Sequence, residues 1–392
     1  NDQFRGGSPR AISVDGRRSL VNLMDRVKRA EPSLGAVAAP DIPDRVRVED
    51  VAFIEFATSD TEATRLGRQL RTMGFAPSAR HRTKDVVVWR QGAGDSALNI
   101  VVNTEREGLA HSSFLMHGTN AYAFGLRVDD AASTVSRARA LGAEVFEQRR
   151  GPGELAIPAI RGVGGGLIYF LDASHAGVWD IEFAALGATG AGAGLTRIDH
   201  IAQTMNYEEM LTWMLFYTAI FRVRKLPMVD VVDPAGIVRS QVIESDDDAA
   251  LRLTLNGSEN SRTLAGHFIA ESFGSSVQHI AIASDDLFAT SDALEGLGFE
   301  RLAIPANYYD DLEARHGLDP AMTDRLRRAS MLYDRDRDGG EYFQLYSTAT
   351  DDGRFIEIVE RRGGYAGYGA PNAVFRIAAQ KRAVRPGGVP RV

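Results

Sequence analysis

The stretch Val277-Gln-His-Ile-Ala-Ile-Ala283, followed by Asp286-Leu-Phe-Ala-Thr-Ser-Asp-Ala-Leu-Glu295 and Leu297-Gly-Phe299, decides the fold, because the chain repeats its plan three more times. An apolar strand runs into a helix, and the helix stops at glycine, the usual terminator. The same order stands at Val51–Ala57, with a helix over Thr61–Met73 and a stop at Gly74. It stands again at Tyr122–Val128, with a helix over Ala131–Ala140 and a stop at Gly142. The remaining copy is Arg197–Gln203 with a helix over Tyr207–Thr218, this time without the glycine. Strand-like segments follow each pair, among them Asp85–Arg90, Leu98–Val102, Gly166–Leu171, Ala250–Leu255, Glu341–Tyr346 and Arg354–Glu360. A repeat of this size settles architecture ahead of local signals. The expectation is an α+β fold of four tandem βαβββ modules, not a parallel doubly wound sheet.

Two modules together can curl a sheet around a central space that one could not close. Two open-barrel domains are therefore expected, at 46–184 and 195–382, divided by the Gly/Ala-rich run Ala184–Gly194, which reads as a flexible linker. Residues 1–35 read as a separate unit with an amphipathic helix at Arg18–Arg29, residues 36–45 as a proline-bearing linker, and 383–392 as a tail.

Composition narrows the function. Of 392 residues, 44% are hydrophobic and 25% charged, the balance of a globular protein. Asp plus Glu outnumber Lys plus Arg, 52 to 45, for a net charge of -7, which argues against nucleic acid as a partner. There is no cysteine, so disulfides, thiolate zinc sites, iron–sulfur clusters and thiol nucleophiles are excluded. Any transition metal must take His and carboxylate. No apolar run reaches the roughly 18 residues a membrane span needs. The expected location is cytoplasmic.

Of eight histidines, His200 and His279 alone recur at one place in the repeat, mid-strand in the third and fourth units. The matching places in the first two units read as Glu55 and, within a residue, Phe124. Alternation sends His200 and His279 inward if the units pair about a pseudo-two-fold axis. Two readings stay open: a pair of satisfied core histidines, or two metal ligands awaiting a carboxylate. Two His and one carboxylate on one face is the non-haem Fe(II) arrangement. Glu357, within the apolar run Phe355-Ile-Glu-Ile-Val359, is the better candidate than Glu360, which is out of phase and sits among charges. The glycine run Arg161–Gly166 lacks the Lys-Ser/Thr of a phosphate loop and reads as a hairpin or bulge. Asp246–Asp248 and Asp334–Asp338 read as solvated turns without calcium-loop spacing.

Over residues 47–382 the chain resembles the 4-hydroxyphenylpyruvate dioxygenases of the vicinal oxygen chelate superfamily. The resemblance rests on Ile198-Asp-His-Ile-Ala202, Val277-Gln-His-Ile-Ala-Ile282, Pro305-Ala-Asn-Tyr-Tyr309, Leu332–Gly340, Phe343-Gln-Leu-Tyr346 and Phe355–Arg361. It implies Fe(II), or another divalent metal such as Mg, Mn or Co, on His200, His279 and Glu357, with a 2-oxo acid chelating the metal. It places Gln278 and Gln344 at polar pocket positions and Phe355 at an aromatic packing position. Departures fall around the substrate. The usual Asn-Glu-Pro reads Asn256-Gly-Ser258, a pocket serine reads Thr263, and Gly-Phe-Gly-x-x-Asn-Phe reads Gly367-Tyr-Gly-Ala-Pro-Asn-Ala373, which puts Tyr368 and Ala373 in place of two aromatics. Asn1–Arg5 and Asp15–Val21 resemble the end of a sugar-phosphate-isomerase-like barrel, as in bacterial fusions where a 3-dehydroshikimate dehydratase barrel precedes such a domain. That resemblance implies a missing N-terminal barrel as partner. The expected activities are a dioxygenase acting on an aromatic 2-oxo acid or, alternatively, an accessory domain of the dehydratase. A metal-free scaffold is the third reading, and a homo-oligomer is expected.

Overall fold

A computed structural model describes residues 42–94, 97–148, 150–246 and 250–383. The expectations for residues 1–35, for most of 36–45, for Asp247 and Asp248 and for 384–392 lie outside these residues.

The four modules are present, and they build two nine-stranded sheets. In the first sheet, β1 (Val48–Ala57), β2 (Ala76–His81), β3 (Val86–Gln91) and β4 (Leu98–Asn103) make one module. The next is β5 (Asn120–Val128), β6 (Val145–Phe146), β7 (Ala159–Arg161) and β8 (Leu167–Leu171), and a short β9 (Phe183–Ala185) closes the edge on β2. The second sheet holds β10 (Leu195–Asn206), β11 (Val223–Lys225), β12 (Val229–Asp233), β13 (Gly236–Ser245) and β14 (Arg252–Ser258). Its fourth module is β15 (Ser276–Ser284), β16 (Leu332–Arg335), β17 (Glu341–Tyr346) and β18 (Phe355–Arg362).

Both sheets centre on an antiparallel pair of module-opening strands, β1 with β5 and β10 with β15. Each opening strand is flanked on its other side by a parallel strand, the last of its own module. This order, with the right-handed strand twist, curls each sheet into an open barrel.

The module helices follow their sequence signals. Ser59 caps Asp60–Thr72 by accepting from the Glu62 N–H, and Asp60 and Glu62 sit in the first turn, where the helix dipole favours acids. Gly74 ends this helix at φ 85°, and a Cβ there would lie 2.7 Å from the Gly192 backbone. The stop glycine thus also lets the segment between the sheets pack closely. Three departures from the sequence reading appear. The Ala184–Gly194 linker begins inside β9. Two helices, Ala306–His316 and Pro320–Ala329, are inserted in the fourth module ahead of β16. The strand β12 is an extra partner of β13.

The expected turns are turns. Arg161–Gly166 is a tight reversal between β7 and β8, and Gly164, at φ 64°, packs where a Cβ would meet the Ser275 carbonyl of the second sheet. Asp336 closes the turn between β16 and β17 by accepting from the Asp338 and Gly340 N–H groups. One continuous core joins the two sheets, running from Ile54, Leu126 and Phe170 to Phe221, Ile201 and Ile280.

Candidate metal centre

The register of the second sheet places the three candidate ligands on neighbouring strands. His200 on β10 lies opposite Ala281 on β15, and Ala281 lies opposite Glu357 on β18. His279 is diagonal to both, opposite Ala202. The fully buried Ala281 between the ligands carries only a methyl, which leaves the space above it open.

Glu357 Oε2 lies 3.3 Å from His200 Nε2 and 3.4 Å from His279 Nε2, and the three ligand atoms all fall within 4.8 Å of one another. Ligands bonded at about 2.1 Å to an octahedral or tetrahedral ion sit roughly 3.0–3.4 Å apart, so the spacing fits a divalent cation. The donor set, two imidazoles and a carboxylate, suits Fe, Mn or Co.

The surroundings orient each ligand. Asp199, 1% exposed, accepts from His200 Nδ1 at 2.9 Å, which holds the ring with Nε2 toward the centre. Arg361 grips Asp199 through Nε and Nη2, both at 3.0 Å, and Arg252 adds a bond at 3.2 Å. Burial would raise the Asp199 carboxyl, but Arg361 and His200 hold it well below its ordinary range.

Glu357 Oε1 accepts from Gln344 Nε2 at 2.9 Å, Tyr346 OH at 3.0 Å and Tyr342 OH at 3.4 Å. Those three donors occupy Oε1 and leave Oε2 to a metal. Burial and the Glu357 charge push both phenols far up, so they stay protonated donors. His279 stacks on Phe355 at 4.6 Å and 17°.

Burial would lower both imidazoles. Glu357 and Asp199 outweigh it at His200, which rises to about 9, while at His279 burial prevails and the value falls to about 4. Glu357 is itself held well below its ordinary value by the two histidines, against its burial. Without a metal the triad is a charged, tightly packed cluster.

Against this geometry the comparisons are specific. Residues 44–184 match the family described as Hydroxyphenylpyruvate dioxygenase, HPPD, N-terminal. The 4-hydroxyphenylpyruvate dioxygenase of Pseudomonas sp. (strain P.J. 874) is 32% identical over 332 residues, covering 82% of this chain and 90% of that protein. The chain belongs to the 4-hydroxyphenylpyruvate dioxygenase family. A 3-dehydroshikimate dehydratase of Pseudomonas aeruginosa (strain PAO1) is 37% identical over 398 residues and matches 100% of this chain. The chain spans only 62% of that relative's length. A solved xylose isomerase-like TIM barrel/4-hydroxyphenylpyruvate dioxygenase fusion protein superposes with a TM-score of 0.78 at 37% identity, covering 94% of this chain and 58% of that one.

Of the pocket residues expected for a dioxygenase of this family, Asn256, Gln344 and Tyr368 line a cavity of about 480 Å³ with the three ligands. Gln344 is fully engaged, with Nε2 on Glu357 and Tyr346 and Oε1 accepting from Asn372 at 2.8 Å, so it positions the ligand. The Tyr368 hydroxyl is buried without a partner, and burial raises it to about 12.

Gln278, Thr263 and Phe355 are not among the cavity's lining residues. Gln278 stands at an irregularity of β15, accepts from Thr204 Oγ1 at 2.8 Å and lines a separate cavity with Leu66 and Leu70. Thr263 is the N-cap of the helix Leu264–Glu271 and accepts from the Gly266 N–H at 2.9 Å. Arg376, which lines the metal pocket from the C-terminal helix Ala373–Ala383, was missed in the sequence, as were Asp199, Tyr346 and Tyr342. The acid beside a candidate ligand histidine, Asp199-His200, was the one signal that could have found a member of this set.

The expected matches in the first half need correction. His200 precedes its helix cap Asn206 by as many residues as Phe53 precedes Ser59, and His279 precedes Asp286 as Ala123 precedes Asp130. The counterparts are therefore Phe53 and Ala123, not Glu55 and Phe124. Through the parallel registers, Glu357 corresponds to Tyr169.

Proposed function

We propose that residues 195–382 form a metal-binding dioxygenase domain for an aromatic or related 2-oxo acid, that residues 46–184 form its metal-free partner, and that the chain works beside a dehydratase barrel. The observation that carries the reading is the convergence of His200, His279 and Glu357, with Glu357 Oε1 and His200 Nδ1 already engaged elsewhere. His200, His279 and Glu357 would hold Fe(II), which when bound supplies a chelation point for the acid and a site where dioxygen is activated.

The chain's own groups do the rest. Asp199 and Arg361 keep the His200 proton on Nδ1. Gln344, Tyr346 and Tyr342 hold the carboxylate in one rotamer. The free Tyr368 hydroxyl and the Asn256 amide offer hydrogen bonds to the substrate. Arg376 has Nη1 on Gln380 Oε1, and among the described residues no carboxylate lies within ion-pair distance of it. Its guanidinium lies 5.0 Å over Phe355 and gives the pocket a cation for an acid.

Anaerobic loading with Fe(II), followed by oxygen uptake over a panel of 2-oxo and hydroxyaromatic acids, tests the proposal. One metal per chain and acid-dependent uptake that disappears in His279→Ala are expected. Uptake that persists in His279→Ala would overturn it. A second reading, an accessory domain of a 3-dehydroshikimate dehydratase, is favoured by the higher identity to that relative. It predicts one bound metal and no uptake with any acid, with destabilisation of the barrel when residues 46–392 are deleted from the longer protein.

A further inference from the structure

The first sheet has lost the metal ligands and kept the space. Phe53, Ala123 and Tyr169 stand where the second sheet has His200, His279 and Glu357. None of the three can hold a metal. Yet a pocket remains here, lined by Phe53, Glu55, His81, Tyr169, Trp179 and Glu182.

Its walls are aromatic. Phe53 lies 5.8 Å from Tyr169 and 5.7 Å from Trp179, and Trp179 lies 5.4 Å from Phe183. The Phe53 ring fits only because residue 125 is glycine, whose Cβ would come within 2.2 Å of it. Trp179 comes from a short helix, Val178–Glu182, outside the repeat.

Its polar groups include carboxylates. Glu55 is 8% exposed, and its Oε1 accepts from Asn103 Nδ2 and Tyr122 OH, both at 2.8 Å. Both donors are neutral, and among the described residues no cation lies within ion-pair distance of Glu55. Burial raises its pKa, against the hydrogen bonds from Asn103 and Tyr122 and the charges of Lys84 and His81. The one lysine on the cavity wall, Lys84, is taken by Glu154 at 2.8 Å. Glu182 adds a third carboxylate.

His81 supplies a donor. Its Nδ1 accepts the backbone N–H groups of Thr83 and Lys84, each at 3.2 Å, so the ring proton sits on Nε2. That Nε2 is buried and makes no hydrogen bond, with carboxylate oxygens of Glu182 at 3.4 Å and Glu154 at 3.9 Å.

A buried carboxylate with no cation in ion-pair contact, a wall of rings of which Trp179 already carries the Arg90 guanidinium at 5.3 Å, and an imidazole N–H that makes no hydrogen bond describe one kind of guest. An ammonium pairs with the carboxylate and is attracted to the rings, an aromatic stem fills the wall, and a hydroxyl oxygen accepts from the imidazole. We propose that the first-sheet cavity is a second ligand site, selective for a small hydroxylated arylalkylamine, with its ammonium on Glu55, its ring among Phe53, Tyr169 and Trp179, and its hydroxyl at His81 Nε2. The site is independent of the metal centre and needs no metal.

Calorimetric titration of the full chain with tyramine, phenethylamine and 4-hydroxyphenylacetate tests it. The acid keeps the phenol and reverses the charge, and phenethylamine keeps the charge and lacks the hydroxyl. Tyramine is expected to saturate one site, with phenethylamine weaker. Glu55→Gln should weaken tyramine by about ten-fold or more and leave metal loading of the second sheet unchanged. Quenching of indole fluorescence by tyramine, absent in Trp179→Phe, supplies a readout that does not depend on Glu55→Gln folding well. Three results would overturn the site: no saturation by either amine in the millimolar range, equal affinity for amine and acid, or undiminished tyramine affinity in Glu55→Gln.

Discussion

Asp199 is buried beside the candidate metal centre, and its whole acceptor capacity is spent on His200, Arg361 and Arg252. Asparagine would keep the volume and present an N–H₂ to either the imidazole or the guanidinium. Asp199→Asn is therefore expected to lower metal affinity by about ten- to a hundred-fold, read by titration with Co(II) or Mn(II). Unchanged affinity would show that the His200 tautomer is set elsewhere. Thr263 bears the opposite relation to the pocket. Its hydroxyl caps a helix and bonds Ser258, so Thr263→Ala should cost about 1 kcal/mol of stability in urea unfolding and leave metal and acid binding untouched. A change in acid affinity would return Thr263 to the substrate wall.

At the scale of elements, the turn leading from β2 to β3 is tied to the loop before β7 through Glu154. Burial would raise this carboxyl, but Lys84, the Gly151 N–H and Thr83 bring it down to about 2. A carboxyl depressed in the folded chain contributes stability above its ordinary value of 4.5 and loses it as the pH falls toward about 2. Glu154→Gln should flatten the pH dependence of the urea midpoint between those limits. Parallel slopes for the two proteins would show that the Lys84–Glu154 tie contributes nothing. The module elements themselves were legible in the sequence. The helix Ala131–Ala140 has its expected bounds, with Leu141-Gly142 as its stop, and Asp130 is its cap. The helices Ala306–His316 and Pro320–Ala329 were not placed, because inserted segments do not share the repeat that guided the reading.

Across the whole molecule, Arg137 is the side chain that ties one sheet's helix to the other's. It is 1% exposed, and its Nε donates to the Ala219 carbonyl at 2.7 Å while Nη1 donates to that of Pro43. Arg137→Ala would strand buried carbonyls and open a void at the junction, at a cost of about 2–4 kcal/mol. Because one core runs through both sheets, the thermal transition should shift as a single step. Two separated transitions in calorimetry would show that the halves unfold on their own. Saturating divalent metal should raise the same transition, by about 2.7 kcal/mol at a hundred times Kd. No rise would argue against the triad as a metal site.

The sequence by itself determined the four-module plan and the residue types that a metal could use. Strand alternation, caps and stop glycines act over a few residues, and the absence of cysteine leaves histidine and carboxylate for a metal. Tertiary structure decided which side chains remain free. Asp199 and Arg361 meet across 162 residues, Gln344 is consumed by Glu357 and Asn372, and Gln278 turns away at a strand irregularity. It also moved the first-half counterparts to Phe53 and Ala123, because register and bulges set which residue faces inward, and a one-residue slip reverses the face.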